Sequence, residues 1–299
     1  MAQRILQPGE IAQLSASEIP FLRLPDRATL FVDRAARLRQ LARGHAMGGY
    51  LEFIAHVADA QHWALQGMSS TRLPTSLYVQ AHLRDPAWCD LLRRMLRRMA
   101  GDLEGKPREV VLALEGERDA LYEAQASKLL AGVMLGLDAA HAPLIGAALQ
   151  VYWIDAAARL GREAFGQTSK PSETASICPV CGSRPLASIV RIGGQQSGHR
   201  YLHCALCATE WHMVRIKCTS CESTKGIHYQ GIENGSKAVL AECCDECDTY
   251  LKILYQDRDP LLEPAADDLA STALDLLVGE TGKLRSGQNL MLIYGPEDA

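Results

Sequence analysis

The chain has 299 residues, 47% of them hydrophobic and 22% charged, which is enough apolar material for a packed core and excludes wholesale disorder. A formal charge of −4 provides no global basic field of the kind that gathers DNA or RNA. The opening MAQRILQPGE has no apolar run after Arg4, so no secretory signal is expected, and the chain reads as cytoplasmic.

Apolar residues at helical spacing dominate the first half. Asp26, after Pro25, predicts the cap of a helix through DRATLFVDRAARLRQLARGH, with Leu30, Ala35, Leu38 and Leu41 recurring along it and a break at His45 to Gly49. A second helix is expected in YLEFIAHVADAQHWALQ. A third, AWCDLLRRMLRRMA, starts after Asp85-Pro86 and stops at Gly101. Its stripe of Arg93, Arg94, Arg97 and Arg98 reads as a solvated face, and Cys89 as a small core residue. Glu115 to Leu137 and Pro143 to Phe165 complete the set. Leu129 to Ile154 is the most membrane-like stretch, but Asp138, His141 and Pro143 stand at its middle, so two buried helices meeting at a turn are expected and no membrane insertion. The expectation is an all-α helical bundle over 1–168.

The polar segment GQTSKPSETAS, 166–176, reads as a linker. Beyond it the chain turns β-prone in the runs ASIVRI, RYLHC, EWHMVRI, KAVLAEC and YLKILY. A helix is expected over 264–280, and a loosely held polar tail from Thr281.

Nine of the ten cysteines fall between Cys178 and Cys247. Eight form four CxxC pairs: Cys178 and Cys181, Cys204 and Cys207, Cys218 and Cys221, Cys244 and Cys247. Twenty-two residues separate the first pair from the second, and 22 the third from the fourth, so each ligand recurs 40 positions on; Thr209 matches Thr249 and Ser183 matches Ser223. This is the mark of an internal duplication. Two cysteines three apart in a tight turn aim both sulfurs at one point, and two such turns make a tetrahedral four-thiolate site. Gly182 suits the left-handed residue such a turn needs, and its counterpart is Glu222.

The expected modules are therefore 177–214 and 215–260, each closing on its own ion, with the crossed pairing as the alternative. Cys243 reads as a buried thiol beside the set. His199, His203, His212 and His228 read as neighbours rather than ligands. Four thiolates suit iron and zinc alike, and a purely structural role stands beside a redox one. Residues 171–260 carry nine Lys/Arg against ten Asp/Glu, and two divalent thiolate sites add about −4. Nucleic acid is thus disfavoured as a partner, despite Tyr201, Trp211 and Tyr229. No GxSxG, phosphate loop or HExxH occurs, so no catalytic residues are named and the chain does not read as an enzyme.

CPVCGSRP at 178–185, RYLHCALCATEWHMVRIKCTSC at 200–221 and CDECDTYLKILYQDRDP at 244–260 resemble the FdhE family of formate dehydrogenase accessory (formation) proteins. LFVDRAARLRQLA at 30–42 and ADDLAS at 266–271 resemble it too. The resemblance implies a multi-domain chain of helical bundle plus tandem rubredoxin-like or zinc-ribbon-like modules. It implies a cytoplasmic chaperone-like factor for the maturation of respiratory formate dehydrogenases, binding the catalytic subunit before export. It also implies two ions per chain, iron rather than zinc, on the eight paired cysteines. The alternatives are a zinc-ribbon nucleic-acid-binding protein and a redox enzyme working through an iron–thiolate site. Arg200, Tyr201, Thr209, Glu210, Trp211 and Arg215, between the ligands, are either a partner-contact surface or packing against the helices. Packing is the reading for Trp211, and both stay open for Arg200 and Arg215. The oligomeric state is not legible from these residues.

Overall fold

The computed structural model describes residues 19–68, 77–79, 84–165 and 176–292. The chain's opening and nearly all of the expected linker, 166–175, lie outside them.

Among the described residues of the first half there are six α-helices: α1 (Leu30–Ala42), α2 (Gly48–Gln66), α3 (Ala87–Ala100), α4 (Gly105–Glu115), α5 (Asp119–Ala131) and α6 (Ala142–Leu160). Helix α3 shows why the period could be read. Leu91, Leu92, Met95, Leu96 and Met99 are buried, while Arg97 and Arg98 stay outside on Glu115 and Asp102 and Arg93 reaches Asp119. Helix α6 is buried continuously from Ala142 to Ala157 and forms the centre of the bundle. Among the described residues no helix is long and apolar enough to cross a membrane.

Two expectations fail here. The helix expected from Glu115 to Leu137 runs instead from Asp119 to Ala131, and α4, with Pro107 in its first turn, was not among the expected helices. In the first turn, where no intrahelical bond is lost, proline is tolerated.

The second half builds one sheet, completed by a short strand that precedes α1 and that the all-α expectation for 1–168 did not include. Its strands are β1 (Leu22–Arg23), β2 (Pro185–Val190), β3 (Arg200–Cys204), β4 (Glu210–Met213), β5 (Ile227–Gln230), β6 (Val239–Cys244), β7 (Thr249–Tyr255) and β8 (Leu284–Arg285). The order is β1-β4-β3-β2-β7-β6-β5, with β8 beside β7. The 40-residue duplication is visible in it. β2, β3 and β4 form one antiparallel meander, and β5, β6 and β7 form its copy. The copies are joined by the parallel pairing of β2 with β7.

The sheet feeds two cores. Leu202, Trp211 and Leu251 join the helices, while Ile189, Tyr201, Tyr250 and Leu254 pack with Leu274 and Val278 of the last helix. The helix expected over 264–280 is two, α7 (Pro264–Ala270) and α8 (Thr272–Glu280), parted at Ser271. Its ADDLAS motif grips both halves of the molecule. Asp267 binds Arg37 of α1 at 3.0 and 3.1 Å, and Asp268 is fully buried against Arg285 at 2.6 Å, Lys252 at 3.4 Å and Asn289 at 2.8 Å.

The tail expected to be loose from Thr281 is held instead. β8 adds to the sheet, Leu290 and Met291 enter the main core, and the Tyr50 hydroxyl donates to the Met291 carbonyl at 2.6 Å. Gly146 of α6 eases the fit there: a Cβ would lie 3.0 Å from the side chain of Leu290, tighter than ordinary contact.

Candidate metal centres

The structure brings the eight paired cysteines together in two groups of four. They are Cys178, Cys181, Cys204 and Cys207 in one and Cys218, Cys221, Cys244 and Cys247 in the other, with the sulfurs of each group within 4.8 Å of one another. The grouping is sequential, not crossed. In each group the first CxxC forms the turn before a meander, and the second forms the turn between its second and third strands.

The duplication extends to the backbone. Left-handed residues follow both turns, Gly182 and Ala208 in the first copy, Glu222 and Asp248 in the second. A carbonyl closes each first turn, Ser183 onto the Cys178 amide and Ser223 onto the Cys218 amide, both at 2.8 Å. Thr209 and Thr249 place a hydroxyl 3.2 Å from the sulfurs of Cys207 and Cys247. Amides also aim at the sulfurs: Val180 at Cys178 and Leu206 at Cys204, both at 3.4 Å, and Ser220 at Cys218 at 3.3 Å.

These donor sets fit a tetrahedral ion. Metal–sulfur bonds of about 2.3 Å put the edges of a sulfur tetrahedron at about 3.8 Å. The sulfur–sulfur edges seen are 3.6 Å for Cys178 and Cys207, 3.4 Å for Cys181 and Cys204, and 3.7 Å for Cys218 with Cys247 and Cys221 with Cys244. Burial pushes the Cys178 and Cys204 thiols well up. Four buried sulfurs cannot all ionise without a cation to take up the charge.

The two groups differ in setting. All four cysteines of the first are buried and belong to the core shared with the helices. The Val79 amide donates to the Cys181 carbonyl at 2.9 Å, and Gln150 of α6 donates to the Ala205 carbonyl at 2.8 Å. In the second group Cys221 is exposed and Cys247 half-buried. Cys243 is buried outside both groups, and burial pushes its thiol up to about 11. Among the described residues no histidine joins either group. His203 instead bonds Glu210 at 3.2 Å, and the rings of His199 and His212 stack edge to face at 5.6 Å.

Among the residues between the ligands, packing is borne out for Trp211, and the contact-surface reading is overturned for Arg200, Tyr201, Thr209 and Glu210. Arg200, Tyr201, Thr209, Glu210 and Trp211 are all buried, and only Arg215 is exposed. Arg200 of β3 ties the two copies together through Glu242 of β6 at 2.6 Å, and Tyr201 donates to the Pro20 carbonyl at 3.0 Å. Sequence reasoning missed them because their partners lie far along the chain.

Glu210 gathers Arg23, Arg191 and His203. Burial alone would push its carboxyl up, but Arg191 and His203 outweigh it and hold it well below the usual carboxylate range. A depressed carboxyl adds stability that is complete above its unfolded pKa and is lost as pH falls through the folded value. Glu210→Gln is therefore expected to be several kcal/mol less stable than the parent at pH 7. Chemical denaturation down a pH series should show that gap narrowing below about pH 4, and a gap independent of pH would refute the assignment.

The sequence of this chain is similar along its whole described length to known proteins. Residues 19–169 match the family described as FdhE, N-terminal, residues 177–215 its central domain and residues 216–292 its C-terminal domain. Protein FdhE of Salmonella dublin is 38% identical over 312 residues, covering 99% of each chain. The FdhE homolog of Cronobacter sakazakii is 39% identical over 295 residues, covering 94% of each. The crystal structure of the FdhE protein from Pseudomonas aeruginosa superposes with a TM-score of 0.83 at 36% identity, over 92% of this chain and 100% of that one.

Proposed function

The chain belongs to the FdhE family, and on that premise we propose that it is a cytoplasmic accessory factor of respiratory formate dehydrogenase. It binds the catalytic subunit and supports its maturation before export. Cys178, Cys181, Cys204 and Cys207 hold one ion, and Cys218, Cys221, Cys244 and Cys247 a second. Iron in a rubredoxin-like site is the favoured occupant and zinc the alternative. The observation that carries this reading is the pair of four-sulfur clusters within a chain matched end to end by the family. A cation bound by four thiolates has no open coordination position, which favours a structural or electron-carrying ion over one that binds a substrate.

Deleting the gene is expected to abolish respiratory formate oxidation while the enzyme's polypeptides are still made. The purified chain is expected to capture the catalytic subunit in pull-downs. Normal formate oxidation in the deletion strain, with no duplicate gene, would sink the proposal. Anaerobic purification with metal analysis separates the ions: ferric thiolate charge-transfer bands mark iron, and a colourless protein with two zincs marks the alternative. Salt-sensitive binding of nucleic acid would promote the zinc-ribbon reading instead.

A further inference from the structure

The two copies of the meander differ at one edge. In the first copy β2 is bonded on both sides, antiparallel to β3 and parallel to β7. Ser188 stands opposite Ile253, Ile189 opposite Leu254 and Val190 opposite Tyr255. Forty positions on, these three residues become His228, Tyr229 and Gln230 of β5. β5 ends the sheet and is bonded only by β6. Among the described residues, no backbone group of Ile227–Gln230 bonds outside that ladder. The strand is half-buried to exposed, with Tyr229 at 43% and the nearby Ile232 at 41% exposure. An open edge of this kind is a template for one more strand.

We propose that the β5 edge takes up an extended segment of a partner polypeptide, parallel to β5, in the place that β7 occupies on β2. The identity of the partner rests on the function proposed above: it is the formate dehydrogenase polypeptide, and the edge is how it is held. The first copy prescribes the occupant. β7, TYLKILY, is an uncharged apolar and aromatic strand apart from Lys252. The setting adds a charge preference. Ile227 pairs with Cys244 beside the second sulfur cluster, and Asp245, Glu246 and Asp248 are exposed there, with Lys283 bridging two of them. In a parallel arrangement the N-terminal end of the incoming segment meets this acidic end, so Lys or Arg is favoured at that end.

The test uses the full chain and a synthetic peptide TYLKILY with two lysines added before it. Hydrogen exchange of the segment containing residues 227–230 is expected to slow about tenfold at saturating peptide. Moving the lysines to the C-terminal end should weaken the effect, and N-methylation of alternate peptide amides should abolish it. The same segment is expected to be protected in the complex with the catalytic subunit, and the peptide to compete with that subunit for capture. Capture of the subunit with 227–230 exchanging freely would overturn the edge and leave the accessory function intact. Peptide protection without any capture would support the edge as a strand acceptor and overturn the choice of partner. Protection already present in the free chain at all dilutions, or appearing with chain concentration alone, would mean that the chain itself or a second copy covers the edge, and overturns the proposal.

Discussion

Cys178→Ser is expected to remove one of two ions and to collapse the fold, whereas Cys221→Ser removes the other and leaves most of the molecule standing. The first cluster sits in the main hydrophobic core with the helices, and its turns are bonded to Val79 and to α6. A structural thiolate ion contributes on the order of 10–16 kcal/mol of apparent binding energy in zinc-finger peptides, as much as the whole stability of an ordinary domain, about 5–15 kcal/mol. Losing it from the core leaves buried sulfurs without a cation. The second cluster is partly exposed, and β7 is held independently by β2 and β8. Its loss frees the Cys218–Cys221 turn and β5 rather than the core. Native mass spectrometry should count one ion in Cys221→Ser, with a thermal transition close to the parent's. Cys178→Ser and Cys204→Ser should fail together. Emptying of the same site by Cys178→Ser and Cys218→Ser would contradict the observed grouping.

The second large effect belongs to Asp268. Its carboxylate is fully buried, with Arg285, Lys252 and Asn289 around it, and Asp275 shares the two cations, 2.6 Å from Lys252 and 2.9 Å from Arg285. Burial would raise its pKa, yet Arg285 and Lys252 lower it below the ordinary aspartate value. Asp268→Ala leaves the buried Lys252 and the half-buried Arg285 on one carboxylate. Breaking a buried ion pair from one side costs about 3–5 kcal/mol, so thermal unfolding should start roughly 10 °C earlier. Asp268→Asn keeps the hydrogen-bonding shape without the charge and should fall between. Asp267 should matter less at neutral pH, since burial already pushes its carboxyl up to about 6 in spite of Arg37. Equal losses at the two positions would show that the charge network is not what holds α7.

Both clusters were legible in the sequence because a CxxC turn carries two ligands in four residues, and the 40-residue echo assigned the four turns to two sites. The helices were legible where one face pays no polar penalty, as in α3. Long-range partners were not legible. Arg34, Arg37, Arg200 and Lys252 look like surface charges, yet each is buried because Glu263, Asp267, Glu242 or Asp275 reaches it from a distant segment. The parallel join of β2 to β7 left no local signature, since each run is β-prone in its own right. Leu290 and Met291 were hidden in a polar tail whose backbone is fixed by Tyr50 and Asn289 rather than by its own periodicity.

The anchoring of Met291 against Tyr50 sets an order of events on the ribosome. Cys207 precedes Leu290 by 83 positions, an interval of about 4–17 s at ordinary rates of synthesis of ~5–20 residues per second. Through that interval the first four cysteines are already made while the C-terminal part of the core that seals the bundle is not. An ion held by these four cysteines would enter most easily during this opening and exchange slowly once the core has closed over it. With Cys221 at the surface, an ion in the second cluster would stay exchangeable, and metal starvation of the mature protein is expected to empty that site before the buried one.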